Sequence, residues 1–216
     1  MNRAARVLPK AMSSRPAASV RHDARFTAGT LVVGLALGVV TTRQALDGAI
    51  PLVTTAPSAV RVVFEVATYV ILFDAYFYVL HRLLHTRRLF RAIHAVHHRA
   101  RTPTILTALA FHPLEALAIL GFVPVMLWIA PIHVLSLAVV STFLSGSILL
   151  AHTAHDPFPA WWHRVPVLRA YVTPRQHHLH HARRDRNYGA TFTLFDRLFG
   201  TLDPGNAPAD GTTRTR

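Results

Sequence analysis

The residues of this sequence best suited to chemistry are its histidines. There are fifteen in 216 residues, and eleven fall in three short windows, 81–98, 152–155 and 177–181. The first window opens with His81-Arg-Leu-Leu-His85. Residues at i and i+4 share a helix face, so both imidazoles can point at one ion. His94-Ala-Val-His97-His98 follows, and on a helix its i, i+3, i+4 spacing again presents three rings together. His177, His180 and His181 repeat that arrangement, with His178 taking the place of His177 if the local register differs. His152 and His155 have an i, i+3 spacing that also suits shared ligation. Together these ten are too many for one ion and about right for two. Imidazole suits iron, zinc, copper and nickel alike. His22, His133 and His163 stand alone and read as surface or hydrogen-bonded core residues.

The sequence has no cysteine. That excludes disulfides, thiolate zinc sites, iron–sulfur clusters and thiol catalysis. Structural zinc sites are usually closed and rich in thiolate, so the histidine excess points instead to a pair of open, reactive metal positions.

The elements that must carry these rings are apolar. Hydrophobic residues make up 51% of the chain and charged residues 15%, against about 25% charged in an ordinary soluble domain. Four spans are predicted: 26–42, 62–80 running on helically to His85, 105–130 ended by Pro131, and 132–151. About 20 residues cross a bilayer. Gly34 and Gly38 form a GxxxG in the first span, a spacing that supports close helix packing. The fold class is therefore all-α, an integral membrane protein with about four transmembrane helices and a helical, histidine-rich di-metal cap. Residues 1–25 read as a basic flexible arm, 26–202 as the membrane domain, and 203–216 as a disordered tail.

The formal net charge of +13 is concentrated in 1–25, 82–101 and 164–186. With four spans these basic clusters lie on one side, which the positive-inside rule makes cytoplasmic. This distribution accounts for the charge without nucleic acid. Two crossings separate His98 from His152, so all histidine groups return to one face. Both termini are then cytoplasmic, as in a bacterial inner membrane. An organellar membrane is the alternative, because the basic, acid-poor start also suits a transit peptide.

Asp74 and Tyr78 share the face of His81, but Asp74 lies about 10 Å of helix away and is too far to bind the same ion. An acid at that depth needs a partner or a function. A metal transporter would need polar residues through several spans, where only Asp74 and Glu115 qualify. A membrane zinc hydrolase normally uses about three protein ligands, fewer than are offered here.

In order and spacing these motifs resemble the fatty acid hydroxylase/sterol desaturase superfamily: HxxxH at His81/His85, HxxHH at His94/His97/His98, and a second HxxHH at His177/His180/His181 after a membrane hairpin. Asp74, Tyr78 and Arg82, then His112-Pro113-Leu-Glu115, Asn187-Tyr188-Gly189 and Asp196-Arg197-Leu-Phe199-Gly200-Thr201 resemble its flanking residues. The likeness covers roughly residues 60–202. It implies two iron ions, with zinc as a substitute, and O2 as co-substrate. It also implies electrons from an external carrier protein, and a lipid substrate that is hydroxylated or desaturated. It brings His152 into the ligand set, with His155 beside it. Asp74, Tyr78 and Asn187 are then candidates to support the ligands, and His112 and Glu115 to line a substrate channel. The sequence has no GxGxxG and no haem-carrier module.

Overall fold

The computed structural model describes residues 16–100, 103–159 and 161–203. Among them the fold is all-α, with two isolated β-bridges and no strand. Four long helices make the body: α1 (Ala17–Leu46), α2 (Ala59–Leu84), α4 (Pro113–Ile129) and α5 (Val134–Ala151). Shorter helices α3 (Arg87–Leu89), α6 (Pro174–Arg183) and α7 (Leu194–Leu198) build one end. Three helices, α1, α2 and α5, are long and apolar enough to cross a membrane, and α4 is a shorter apolar helix of 17 residues.

Contacts at both ends fix the topology. Near the start of α1 the Thr27 hydroxyl donates to Leu106 O, ahead of α4; near its end Gln44 Oε1 accepts from Trp128 Nε1 on α4. These two helices therefore run parallel; a Cβ at Gly34 would touch Leu120, whereas one at Gly38 would meet open space. At the start of α2, Glu65 Oε2 accepts the backbone N–H of His133, which caps α5. The C-terminal ends of α2 and α5 consequently arrive at the same end as the N-terminal ends of α1 and α4. Phe73, Phe122, Val140 and Leu144 are buried between the helices.

The structure changes two of the expected elements. The third span does not run unbroken from 105 to 130. Ile105–Leu109 is a 3-10 turn, residues 110–112 turn away, and α4 begins at Pro113. His112 stops and restarts the chain there: its Nδ1 accepts the N–H of Leu114, and Pro113 supplies the fixed φ favoured at a helix start. The first helix starts at Ala17, so 17–25 is helix rather than flexible arm. This stretch contains no Gly or Pro, and Pro16 sits at its N-cap. Residues 1–15 and 204–216 lie outside the described residues. Asp203, the first residue of the expected tail, is held by Asn187 Oδ1 and pairs with Arg183.

Candidate metal centre

Nine of the ten histidines meet at that end in two abutting groups. His81, His85, His94, His98 and His180 form one; His97, His152, His177 and His181 form the other, and within each group the candidate ligand atoms lie within 4.8 Å of one another. Two nitrogens about 2.1 Å from a shared ion lie about 3 Å apart at right angles and about 4 Å apart when opposed, so this spacing suits one ion per group. His98 and His181 rings approach to 4.4 Å, which sets the groups side by side.

Different local backbones deliver the two HxxHH motifs. α6 is a regular helix, started by a capping box in which Thr173 and Gln176 bond reciprocally. At 3.6 residues per turn, i and i+4 lie about 40° apart and i+3 about 60° to the other side. His177 and His181 accordingly enter one group and His180 the other. The earlier motif is not on an α-helix. Phe90–His94 is a π turn, closed by Ala95 N–H to Phe90 O at 2.7 Å, and His97–Arg99 is a 3-10 turn. The result mirrors α6: His94 and His98 stay together and His97 crosses over.

Five of the nine rings have their Nδ1 fixed. His81 bonds Tyr188 O at 2.8 Å, His152 bonds Ile148 O at 2.8 Å, His180 bonds Arg186 O at 2.7 Å and His181 bonds Ala100 O at 3.0 Å. A carbonyl only accepts, so each of these four rings carries its proton on Nδ1 and leaves Nε2 as a bare lone pair. His94 Nδ1 lies 2.7 Å from Glu115 Oε1 instead.

Of those lone pairs only that of His180 has a partner to itself, His98 Nε2 at 3.1 Å. His152 and His181 both turn Nε2 toward His177 Nε2, at 3.0 and 3.1 Å. One proton on His177 can serve only one of them. His81 Nε2, His85 Nε2 and His94 Nε2 are buried without a hydrogen-bond partner, as are Nδ1 of His97 and His98. Each such group costs about 1–3 kcal/mol, and a cation at each focus removes the cost. The residues present fit a metal pair.

Burial and the mutual repulsion of neighbouring rings keep the imidazoles neutral, the form that binds metal. Burial pushes His85 down to about 3 and His152 down to about 4. His97, His98, His177, His180 and His181 are lowered by the same two causes in the same order.

The remaining candidates act through the backbone or elsewhere. His155 is exposed and belongs to neither group, because α5 ends at Ala151 and i, i+3 spacing no longer implies a shared face. His178 bonds Thr153 O at 3.1 Å and also stays outside. Asp74 accepts the N–H groups of Thr191 and Phe192 at 2.8 and 2.9 Å, which clamps the chain after Tyr188 onto α2. Tyr78 is buried, bonds the Thr201 hydroxyl at 3.0 Å and stacks on Phe199. Asn187 donates to Gln176 O at 3.1 Å and to Asp203 O at 3.0 Å, tying the C-terminal segment to α6. His112 caps α4 by accepting the Leu114 N–H, and Glu115 pairs with His94. Reasoning from sequence missed the carbonyls of Ala100, Arg186 and Tyr188, for which no side-chain signal exists. It also missed the Thr173/Gln176 box, whose T-x-x-Q spacing was readable.

The family model described as fatty acid hydroxylase matches residues 66–201, a stretch that contains all nine grouped histidines. Methylsterol monooxygenase 1 of Danio rerio is 38% identical over 131 residues, 59% of this chain and 43% of that protein. A cholesterol 25-hydroxylase-like protein of Danio rerio is 32% identical over 152 residues, 68% of this chain and 59% of that protein. Very-long-chain aldehyde decarbonylase GL1-11 of Oryza sativa subsp. indica is 34% identical over 156 residues, 68% of this chain and 56% of that protein. The chain spans about half the length of the curated relatives it matches. No solved structure matches it.

Proposed function

The chain belongs to the fatty acid hydroxylase family, and from that membership we propose that it is a membrane-bound, two-metal oxygenase that hydroxylates or desaturates a lipid. One observation carries the reading: nine imidazoles from separate elements, eight of them buried and His85 half-buried, converge in two groups at one end of an apolar helix bundle, with buried nitrogens left unpartnered. His81, His85, His94, His98 and His180 would hold one metal, and His97, His152, His177 and His181 the other. Iron is the metal this reading requires, although the same donors also suit zinc. Two ferrous ions would supply the activation of O2 and the attack on an unactivated C–H bond that protein side chains cannot perform.

The protein's own part is to orient, to dry and to admit. Backbone carbonyls fix the proton of four rings on Nδ1, so Nε2 is presented before any metal arrives. The rings of Phe77 and Phe111 lie 5.1 Å from His81 and 4.8 Å from His97, giving both groups an apolar neighbour. A lipid chain or ring system reaching them between the helices meets carbon rather than water. Electrons are supplied by a separate carrier protein.

The chain is an integral membrane protein, and α4 is proposed as a fourth crossing. At 1.5 Å per residue it is about 26 Å long, near the lower limit for a span. The basic clusters support a cytoplasmic histidine end. The named relatives come from a fish and a rice and lend no support to a bacterial inner membrane.

The test is the purified full chain in lipid nanodiscs, with metal measured by elemental analysis and O2 uptake followed on adding lipid and a reductant. Two irons and lipid-dependent O2 uptake are expected. Mass spectrometry then separates the outcomes, since hydroxylation adds one oxygen to the lipid and desaturation removes two hydrogens. Two bound irons with no lipid-dependent uptake would sink the proposal.

A further inference from the structure

The two metal positions are not equivalent, and the difference centres on Glu115. One group offers five imidazoles and the other four. In the four-histidine group, the fixed rings His152 and His181 lean on neutral carbonyls, Ile148 O and Ala100 O. In the five-histidine group, His94 Nδ1 lies 2.7 Å from the Glu115 carboxylate, with both side chains almost fully buried. Among the described residues this is the one carboxylate bonded to any of the nine histidines.

Local structure explains how an acid comes to be there. The break at 110–112 starts α4 at Pro113, which places Glu115 in its first turn. Unpaired N–H groups and the helix dipole favour a negative charge in that turn. α4 begins at the histidine end, so Glu115 points its Oε1 at His94, while its Oε2 has no partner. A carboxylate behind a metal-bound imidazole holds the ring and strengthens its donor nitrogen.

We propose that Glu115 is a positioning residue that acts through His94 to make the five-histidine position the tighter of the two, so that the metal pair loads and empties stepwise. This rests on the two-metal reading above. Loss of such a partner typically weakens metal binding about 10- to 100-fold.

The experiment uses the full chain loaded with Co(II) or Zn(II), with retained metal measured by elemental analysis at intervals after adding a chelator. Two phases of equal amplitude are expected from the unmodified protein. His152→Ala removes the fast phase. Glu115→Ala speeds the slow phase about 10- to 100-fold and leaves the fast phase alone. Glu115→Gln keeps an acceptor oxygen and falls between. If Glu115→Ala does not fold, Glu115→Gln alone must speed the slow phase and spare the fast one. Release in a single phase from the unmodified protein overturns the proposal. So does a Glu115 variant that changes neither phase or both alike. A protein that binds no metal at all instead overturns the two-metal reading.

Discussion

Removing the Asp74 carboxylate should free the C-terminal segment from α2 and loosen His81 at a distance. Asp74 is 1% exposed, and its two oxygens accept the backbone N–H groups of Thr191 and Phe192. Just upstream, Tyr188 O holds His81 Nδ1, and the Tyr188 and Gly189 N–H groups are held by Asp196 at 2.8 Å each. Asp74→Ala leaves two amides without an acceptor, at about 1–3 kcal/mol each, a total of about 2–6 kcal/mol. Asp74→Asn keeps one acceptor oxygen but turns an NH2 donor toward the second amide, so it should cost about half as much. Hydrogen exchange of the metal-free protein in nanodiscs measures this directly, because 1.4 kcal/mol is about tenfold in an equilibrium. Thr191 and Phe192 amides should exchange about fivefold faster or more in Asp74→Asn and faster still in Asp74→Ala, with amides in α4 unchanged. If both variants exchange at the unmodified rate, Asp74 is not the clamp and its reach to His81 is refuted.

Elemental analysis should distinguish His152 from His155: His152→Ala loses one of two metals, whereas His155→Ala, on an exposed ring outside both groups, retains both. Gly189→Ala should fold poorly, since an added Cβ would lie 2.4 Å from Phe192 O, a backbone atom that cannot give way. Thermal unfolding should place the loss at about 2 kcal/mol or more, in the range of overpacked sites, and an unchanged melting temperature would contradict the packing. The metal-free protein should lose stability as pH falls. His85 and His152 titrate at about 3 and about 4 when folded but at about 6.5 when unfolded. The unfolded chain therefore takes up protons first. Stability is flat above about 6.5 and declines from there toward 4; a decline confined to alkaline pH would reverse the sign and defeat the argument.

Much of this arrangement was legible in the sequence, and what was not has identifiable causes. His81/His85 pair because i and i+4 coincide on a helix, and α2 is regular through His81. Span parity brought residues 81–98, 152 and 177–181 to one end, and the structure places them there together. The sequence signal failed at 105–130 because hydropathy sums over a stretch without registering a break. Only His112-Pro113 marked it, and a proline alone does not decide, because Pro124 lies inside α4 without ending it. It failed at His155 because i, i+3 spacing has meaning only while the helix lasts. The π turn at Phe90–His94 has no side-chain signature; the register is set by how His94 and His98 must meet His85 and His180.

The division of each HxxHH motif has a consequence for how this end of the molecule forms. The motif at 94–98 gives two rings to one group and one to the other, and the motif at 177–181 does the reverse. Neither group can be completed by one motif, and neither motif can be satisfied by one ion. A metal bound at either position therefore ties α6 to the segment after α2, across more than eighty residues of chain. The same crossing explains why both segments need independent anchors before metal arrives: the capping box starts α6, Asn187 and Asp74 hold its continuation, and Glu115 and Ala100 O hold rings of the two motifs. The anchors lie at five separate places in the chain, so disrupting any one should lower retention at the position it supports first, and at the other only through the shared motif.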